Sequence, residues 1–108
     1  MKNIEENLNE VQKQFSKGMH QLALRKINKL IKNNRQNHTA YNYRGIILVA
    51  LKKSSEAIKD FKKTLELNSE FTEAIGNIGM AYHEMNYLDK AIENYEKAYE
   101  LSGLVQFE

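Results

Sequence analysis

Residues 72–103, TEAIGNIGMAYHEMNYLDKAIENYEKAYELSG, read as two amphipathic helices joined by a tight turn. Large and small apolar residues recur at helical spacing through Ile75, Ile78, Gly79 and Tyr82, and again through Ala91, Tyr95 and Ala98. A shift of about 34 residues, a helix–turn–helix repeat length, lays the preceding stretch onto this one. Ala40 then falls on Ala74, Gly45 on Gly79, Ala57 on Ala91, Ile58 on Ile92 and Leu67 on Leu101, with Phe61 on Tyr95 a match in kind. A second step back is fainter but visible, with Ala23 on Ala57, Ile27 on Phe61 and Lys29 on Lys63. Glycine inside a helix costs roughly 1 kcal/mol relative to alanine. Gly45 and Gly79 at the same repeat position therefore predict close approach of another helix. Ala23, Ala57 and Ala91 are the small surfaces expected opposite them.

The Ile75–Ile78–Gly79–Tyr82 run followed by Ala91, Tyr95 and Ala98 resembles the tetratricopeptide repeat family, and the resemblance covers roughly residues 4–103. It implies an all-α protein, a right-handed α-solenoid of three antiparallel helix–turn–helix repeats with six helices. The repeats fall at approximately 4–37, 38–71 and 72–105. Two departures stand out. The proline usual after the second helix is replaced by Arg35, Ser69 and Gly103, and the first copy has Glu10 and Val11 where an apolar residue and a glycine are usual.

Along the chain, Ile4, Leu8, Val11 and Phe15 form one apolar face over 3–16, and Gly18 is placed to end that helix in a left-handed conformation. The partner helix spans 20–33, with Leu22, Ala23, Ile27, Leu30 and Ile31 inward. Asn37 is a candidate cap for the next helix. Residues 38–51 are the most apolar, with Tyr41, Ile46, Ile47, Leu48, Val49 and Leu51 around most of the circumference. Such a helix is buried on several sides. Further helices are expected at 54–67, 72–85 and 88–101. The tail, residues 104–108, reads as the start of another helix. Terminal repeats need a polar outer face. The last pair has none, so Ile92, Tyr99 and Leu101 are expected to be exposed and to support a homo-oligomer through the C-terminal end.

Composition narrows the function. The 108 residues hold no cysteine and no proline. Disulfides, thiolate catalysis and cysteine-ligated metals are thereby excluded, and a cytoplasmic protein is the easier reading. No stretch approaches the ~20 apolar residues of a membrane span, and MKNIEENLNE has no apolar signal core. The net charge of +2 hides an asymmetry: +8 over residues 1–54 and −6 over 55–108.

The family resemblance implies that the first helix of each hairpin lines a concave groove. The residues it places there are Gln12 and Phe15 from the first hairpin; Asn42, Tyr43, Ile46 and Val49 from the second; and Asn77, Met80, His83 and Glu84 from the third. An apolar strip flanked by amides suits an extended or helical peptide of another protein. The competing reading makes Ile46 and Val49 inter-helix core. One subfamily grips a partner's terminal carboxylate with Lys, Asn and Arg. The matching residues here are Leu8, Gln12, Tyr43, Glu73 and Asn77, without a cation, so that mode is disfavoured.

No catalytic residue, cofactor or metal is expected. His20, His38 and His83 share no metal-ligand spacing, and no nucleophile neighbours His83. The scattered glycines form no phosphate loop. Arg25, Lys26, Lys29, Lys32 and Arg35 offer a phosphate-tracking stripe. The acidic second half would repel a strand crossing it, so nucleic acid is disfavoured. The sequence therefore favours a non-catalytic adaptor or scaffold, with self-assembly through the C-terminal repeat as the alternative.

Overall fold

Six helices form three consecutive hairpins in the computed structural model, which describes residues 2–103. They are α1 (Ile4–Ser16) and α2 (His20–Asn33), α3 (His38–Ala50) and α4 (Ser54–Leu67), and α5 (Glu73–Glu84) and α6 (Leu88–Leu101). No described residue lies in a strand. The expected seventh helix, at 104–108, lies outside the described residues.

The turn inside each hairpin is built the same way. Gly18, Lys52 and Asn86 occupy one repeat position, and all three are left-handed, with φ of 81°, 64° and 67°. The following N–H reaches back to the last full turn of the helix. Met19 N donates to Gln14 O at 2.9 Å, Lys53 N to Leu48 O at 2.8 Å and Tyr87 N to Tyr82 O at 2.8 Å. Together with Gly18 N to Phe15 O, Lys52 N to Val49 O and Asn86 N to His83 O, this is the Schellman arrangement. Left-handed backbone costs a non-glycine residue about 1–2 kcal/mol. Two of the three turns bear that cost.

The turns between hairpins manage without proline. Asn3 and Asn37 cap α1 and α3 by accepting from Glu6 N at 2.8 Å and Ala40 N at 3.0 Å. Asn34 Nδ2 donates to Leu30 O at 2.8 Å, and the Tyr41 hydroxyl donates to Arg35 O at 3.0 Å. Side-chain hydrogen bonds thus hold a bend that proline would have fixed through φ.

Each hairpin closes on a volume-matched pair, and in two of the three it is a glycine against a ring. Phe61 is fully buried over Gly45, so close that a Cβ there would lie 2.3 Å from its ring. Tyr95 lies over Gly79 with 2.9 Å to the same imaginary atom. The first hairpin has Val11 and Ile27 at those positions, 1% and 0% exposed. A branched aliphatic on each side replaces a glycine against a ring. Close-packed interiors require that kind of volume exchange.

A second pairing sits one residue before the glycine. Arg44 makes a two-pronged contact with Asp60, Nε to Oδ2 and Nη2 to Oδ1 both at 2.8 Å, and Nη1 donates to Asn28 of α2 at 3.1 Å. The Asp60 hydrogen bond raises the Arg44 pKa further above its ordinary value, against the opposing effect of burial. In the first hairpin the equivalent residues are Glu10 and Lys26, and they pair with the charges exchanged. In the third they are Ile78 and Asn94, with no charge.

Two apolar clusters run into one another through Leu24. One gathers Val11, Ala23, Ile27, Ile31, Tyr41 and Ile47, and the other Ala57, Ile58, Phe61, Ala74, Ile78 and Ala81. The helix α3 contributes to both, as its all-round apolar sequence requires. Its backbone approaches α1 and α5, whereas among the described residues the backbones of α2, α4 and α6 do not approach one another. First helices that meet and second helices that splay mean a stack curved inward along α1, α3 and α5.

Candidate functional site

The inner layer carries a cleft between α1 and α3, of about 310 Å³, lined by Val11, Gln12, Phe15, Ser16, Tyr43, Ile46 and Ile47. It is at the small end of the range for ligand pockets. Buried Val11 and Ile47 form its floor, and half-buried Phe15, Tyr43 and Ile46 form its walls. Phe15 is steadied by His20, with ring centroids 4.7 Å apart. Gln12 and Ser16 supply the polar edge, both exposed. Spacing explains the grouping. Gln12 and Ser16, Val11 and Phe15, and Tyr43 and Ile47 are each one helical turn apart, so two faces of two helices meet across the cleft.

Four of the ten sequence-predicted residues, Gln12, Phe15, Tyr43 and Ile46, come together there. Met80 holds the same repeat position as Gln12 and Ile46. It is half-buried and packs against the second cluster. His83 is exposed farther along α5. Glu84 is drawn away to Lys52, which pairs with it and holds its carboxyl below the usual range. It lines the surface beside Lys53, Ser55 and Met85 instead of the cleft.

Asn42 and Val49 are corrections. The sequence places both in the groove, but they are 2% and 7% exposed and lie within helix–helix packing. Asn42 Oδ1 accepts from Asn77 Nδ2 at 2.9 Å, a bond that ties α3 to α5. Val49 belongs to the second cluster. The reading of Val49 as core therefore describes its position, and Ile46 alone of that pair reaches the cleft. Ser16, Val11 and Ile47 are the lining residues the sequence did not single out. A one-turn extension from Gln12, Phe15 and Tyr43 finds all three.

The cleft has no built-in charge. Leu8 is 5% exposed, which removes it as a contact for a partner's carboxylate. Tyr43 and Gln12 are neutral, and Glu73 is an exposed acid on α5. Among the described residues no His, Asp and Glu cluster could hold a metal ion. No helix among them is long and apolar enough to cross a membrane.

Comparison with known proteins agrees with this architecture. Residues 5–103 match the family model for the Psidin N-terminal TPR repeats region. Heat shock protein STI1 of Saccharomyces cerevisiae is 33% identical over 67 residues, which is 62% of this chain and 11% of that protein. The chain thus spans about a tenth of the curated relative it matches. The first TPR of Spaghetti (RPAP3), solved bound to the HSP90 peptide SRMEEVD, superposes with a TM-score of 0.82 at 24% identity, over 91% of this chain and 78% of that one. A structure of MamA superposes with a TM-score of 0.81 at 24% identity, over 94% of this chain and 59% of that one. With the family match covering nearly the whole chain and three hairpins repeating in register, the chain belongs to the tetratricopeptide repeat family.

Proposed function

We propose that the protein is a non-catalytic adaptor or scaffold that holds a segment of another protein along the inner layer of α1, α3 and α5. The observation that carries this is the α1–α3 cleft, with its apolar walls of Phe15, Tyr43 and Ile46 and its polar edge of Gln12 and Ser16. Met80 continues the strip onto α5, and methionine adapts to varied apolar partners. The residue it takes is a large apolar side chain of a peptide or helix, with the Gln12 amide and the Ser16 hydroxyl at the margin for the peptide backbone. Preorganisation supplies the mechanism. The floor is buried Val11 and Ile47, and the Asn42–Asn77 bond ties α3 to α5 behind it, so the protein side loses little conformational freedom on binding.

Related folds solved with the HSP90 peptide support a protein partner in general. A carboxylate-terminated tail is not the segment we propose, because the equivalent positions here are Leu8, Gln12, Tyr43, Glu73 and Asn77. The cytoplasm is the compartment proposed from the cysteine-free composition.

The test is a parallel capture from source lysate with wild-type protein and the Ile46→Asp/Met80→Asp variant, each checked for helicity by circular dichroism. The proposal expects a protein retained by the wild type alone. Retention of the same protein by the folded variant would place binding elsewhere.

A further inference from the structure

The 34-residue register also identifies a surface that the cleft does not use. Positions 88, 92, 95 and 99 of α6 succeed 54, 58, 61 and 65 of α4 and 20, 24, 27 and 31 of α2. In α4 the stripe is Ser54, Ile58, Phe61 and Leu65. The first three are buried and Leu65 is half-buried, with α5 packed on α4. In α2 it ends on buried Ile27 and Ile31, with α3 packed on α2. In α6 it is Leu88, Ile92, Tyr95 and Tyr99, apolar throughout, yet 50%, 54%, 40% and 53% exposed. Large side chains left half open in this way amount to a patch on the order of 400 Å², the size at which exposed apolar surface marks an interaction site.

The other end of the stack is different. The α1 counterparts of Tyr41, Arg44 and Leu48, and of Ile75, Ile78 and Tyr82, are Asn7, Glu10 and Gln14. Glu10 is further occupied by Lys2 and Lys26. One outer face is polar, with its acid ion-paired, and the other is an apolar stripe.

We propose that the α6 face docks an amphipathic helix of a partner protein whose apolar stripe is flanked by Lys or Arg. The occupant follows from two observations. Twice in this chain the same stripe is covered by a helix, α3 on α2 and α5 on α4, so a helix is the shape that fits. The stripe on α6 is bordered by Asp89, Glu93, Glu96 and Glu100. Of its two lysines, Lys90 is engaged over the rings of Tyr82 and Tyr87, at 5.5 and 5.8 Å. Acidic margins select a basic-flanked helix and repel an acidic one. A second copy fits less well. Head to tail it presents Asn7, Glu10 and Gln14, and α6 against α6 sets acidic margin beside acidic margin.

The test uses two labelled helical peptides with identical apolar stripes at the spacing of Leu88, Ile92, Tyr95 and Tyr99, one flanked by Lys and one by Glu. Binding is read by fluorescence anisotropy. The Lys-flanked peptide is expected to bind the wild type, to weaken as salt is raised, and to lose about tenfold or more against Ile92→Glu or Tyr99→Glu, as for a lost anchor residue. Both variants alter exposed side chains, so helicity is expected to persist. Binding to Ile46→Asp is expected to be unchanged, which separates this surface from the cleft. Equal binding of the Glu-flanked peptide overturns the proposal, as does failure of the Lys-flanked peptide to bind or its full binding to a folded α6 variant. So does a wild-type dimer in sedimentation that Ile92→Glu dissociates, since the face is then taken by a second copy.

Discussion

Replacing Gly45 by alanine puts a methyl carbon 2.3 Å from Phe61 Cε1 and 2.7 Å from Cδ1 and Cζ, where ordinary contact begins near 3.4 Å. Phe61 is 0% exposed, so its ring cannot swing out into solvent. Relief must come from moving α3 away from α4. Overpacking of this kind costs about 1–3 kcal/mol, and a clash of more than an ångström belongs at the upper end. Alanine returns roughly 1 kcal/mol of helix propensity. The net expectation is a loss of about 1–2 kcal/mol, or roughly 4–8 °C in Tm if each kcal/mol shifts a domain of this size by about 4 °C. Gly79→Ala supplies the internal control. Its added carbon lies 2.9 Å from Tyr95, which is 40% exposed and can swing outward, although Ala91 O at 3.1 Å limits the fit. There the two effects nearly cancel, to within about 0.5 kcal/mol. The double variant Gly45→Val/Phe61→Ile copies the Val11–Ile27 pair and should recover part of what Gly45→Val loses. Urea unfolding followed by circular dichroism measures all four. Gly45→Ala as stable as wild type, or equal losses at Gly45 and Gly79, would refute the packing account.

Three further outcomes follow from the structure. Lys52→Gly removes a left-handed lysine and should raise stability by about 0.5–1 kcal/mol, visible as a higher thermal midpoint, even though the exposed Lys52–Glu84 pair is lost. Arg44→Glu strands the 6%-exposed Asp60 beside a like charge and should cost about 3 kcal/mol or more, whereas Arg44→Glu/Asp60→Lys should regain much of it by reproducing the Glu10–Lys26 polarity; chemical denaturation of the single and double variants reads this directly. In an NMR titration the Glu84 carboxyl should ionise below its ordinary value of 4.5, and Lys52→Gln should return it there. Because the folded pKa is depressed, any stability from this pair is present above pH 4.5 and fades as pH falls through the folded value. Exposure to solvent makes it sensitive to salt.

Much of the fold was legible because its devices repeat at one spacing. The helix ends agree with the sequence to within about a residue, since turn residues and apolar periodicity change together there. Gly45 and Gly79 announced the close approach that Phe61 and Tyr95 complete. What escaped depends on which faces meet. Lys52 carries no sign of a left-handed backbone, and only its alignment with Gly18 and Asn86 reveals it. The exchanged polarity of Glu10–Lys26 and Arg44–Asp60 is invisible until α1 is laid on α2 and α3 on α4. Asn42 looks like a groove amide because it is polar, and its burial follows from a partner, Asn77, on another helix. Val49 is as apolar as Ile46, yet three residues rotate the side chain about 60° around the helix axis, and that sends one into the core and the other to the cleft. Ile92 and Tyr99 of the exposed α6 stripe, and Leu101 beyond it, were legible as exposed because they are large apolar residues in a helix whose small residue, Ala91, already marks the face turned to α5.

The most direct measurement is site-specific photo-crosslinking in source lysate. A benzophenone amino acid replaces Tyr43 in the cleft or, as a control, exposed Lys62 on α4. A partner segment recovered from the Tyr43 probe and not from the Lys62 probe, with a large apolar residue at the crosslinked site, is the predicted result. The same segment recovered equally from Lys62, or none from Tyr43 when the folded protein still retains its partner, would contradict the assignment of the inner layer as the binding face.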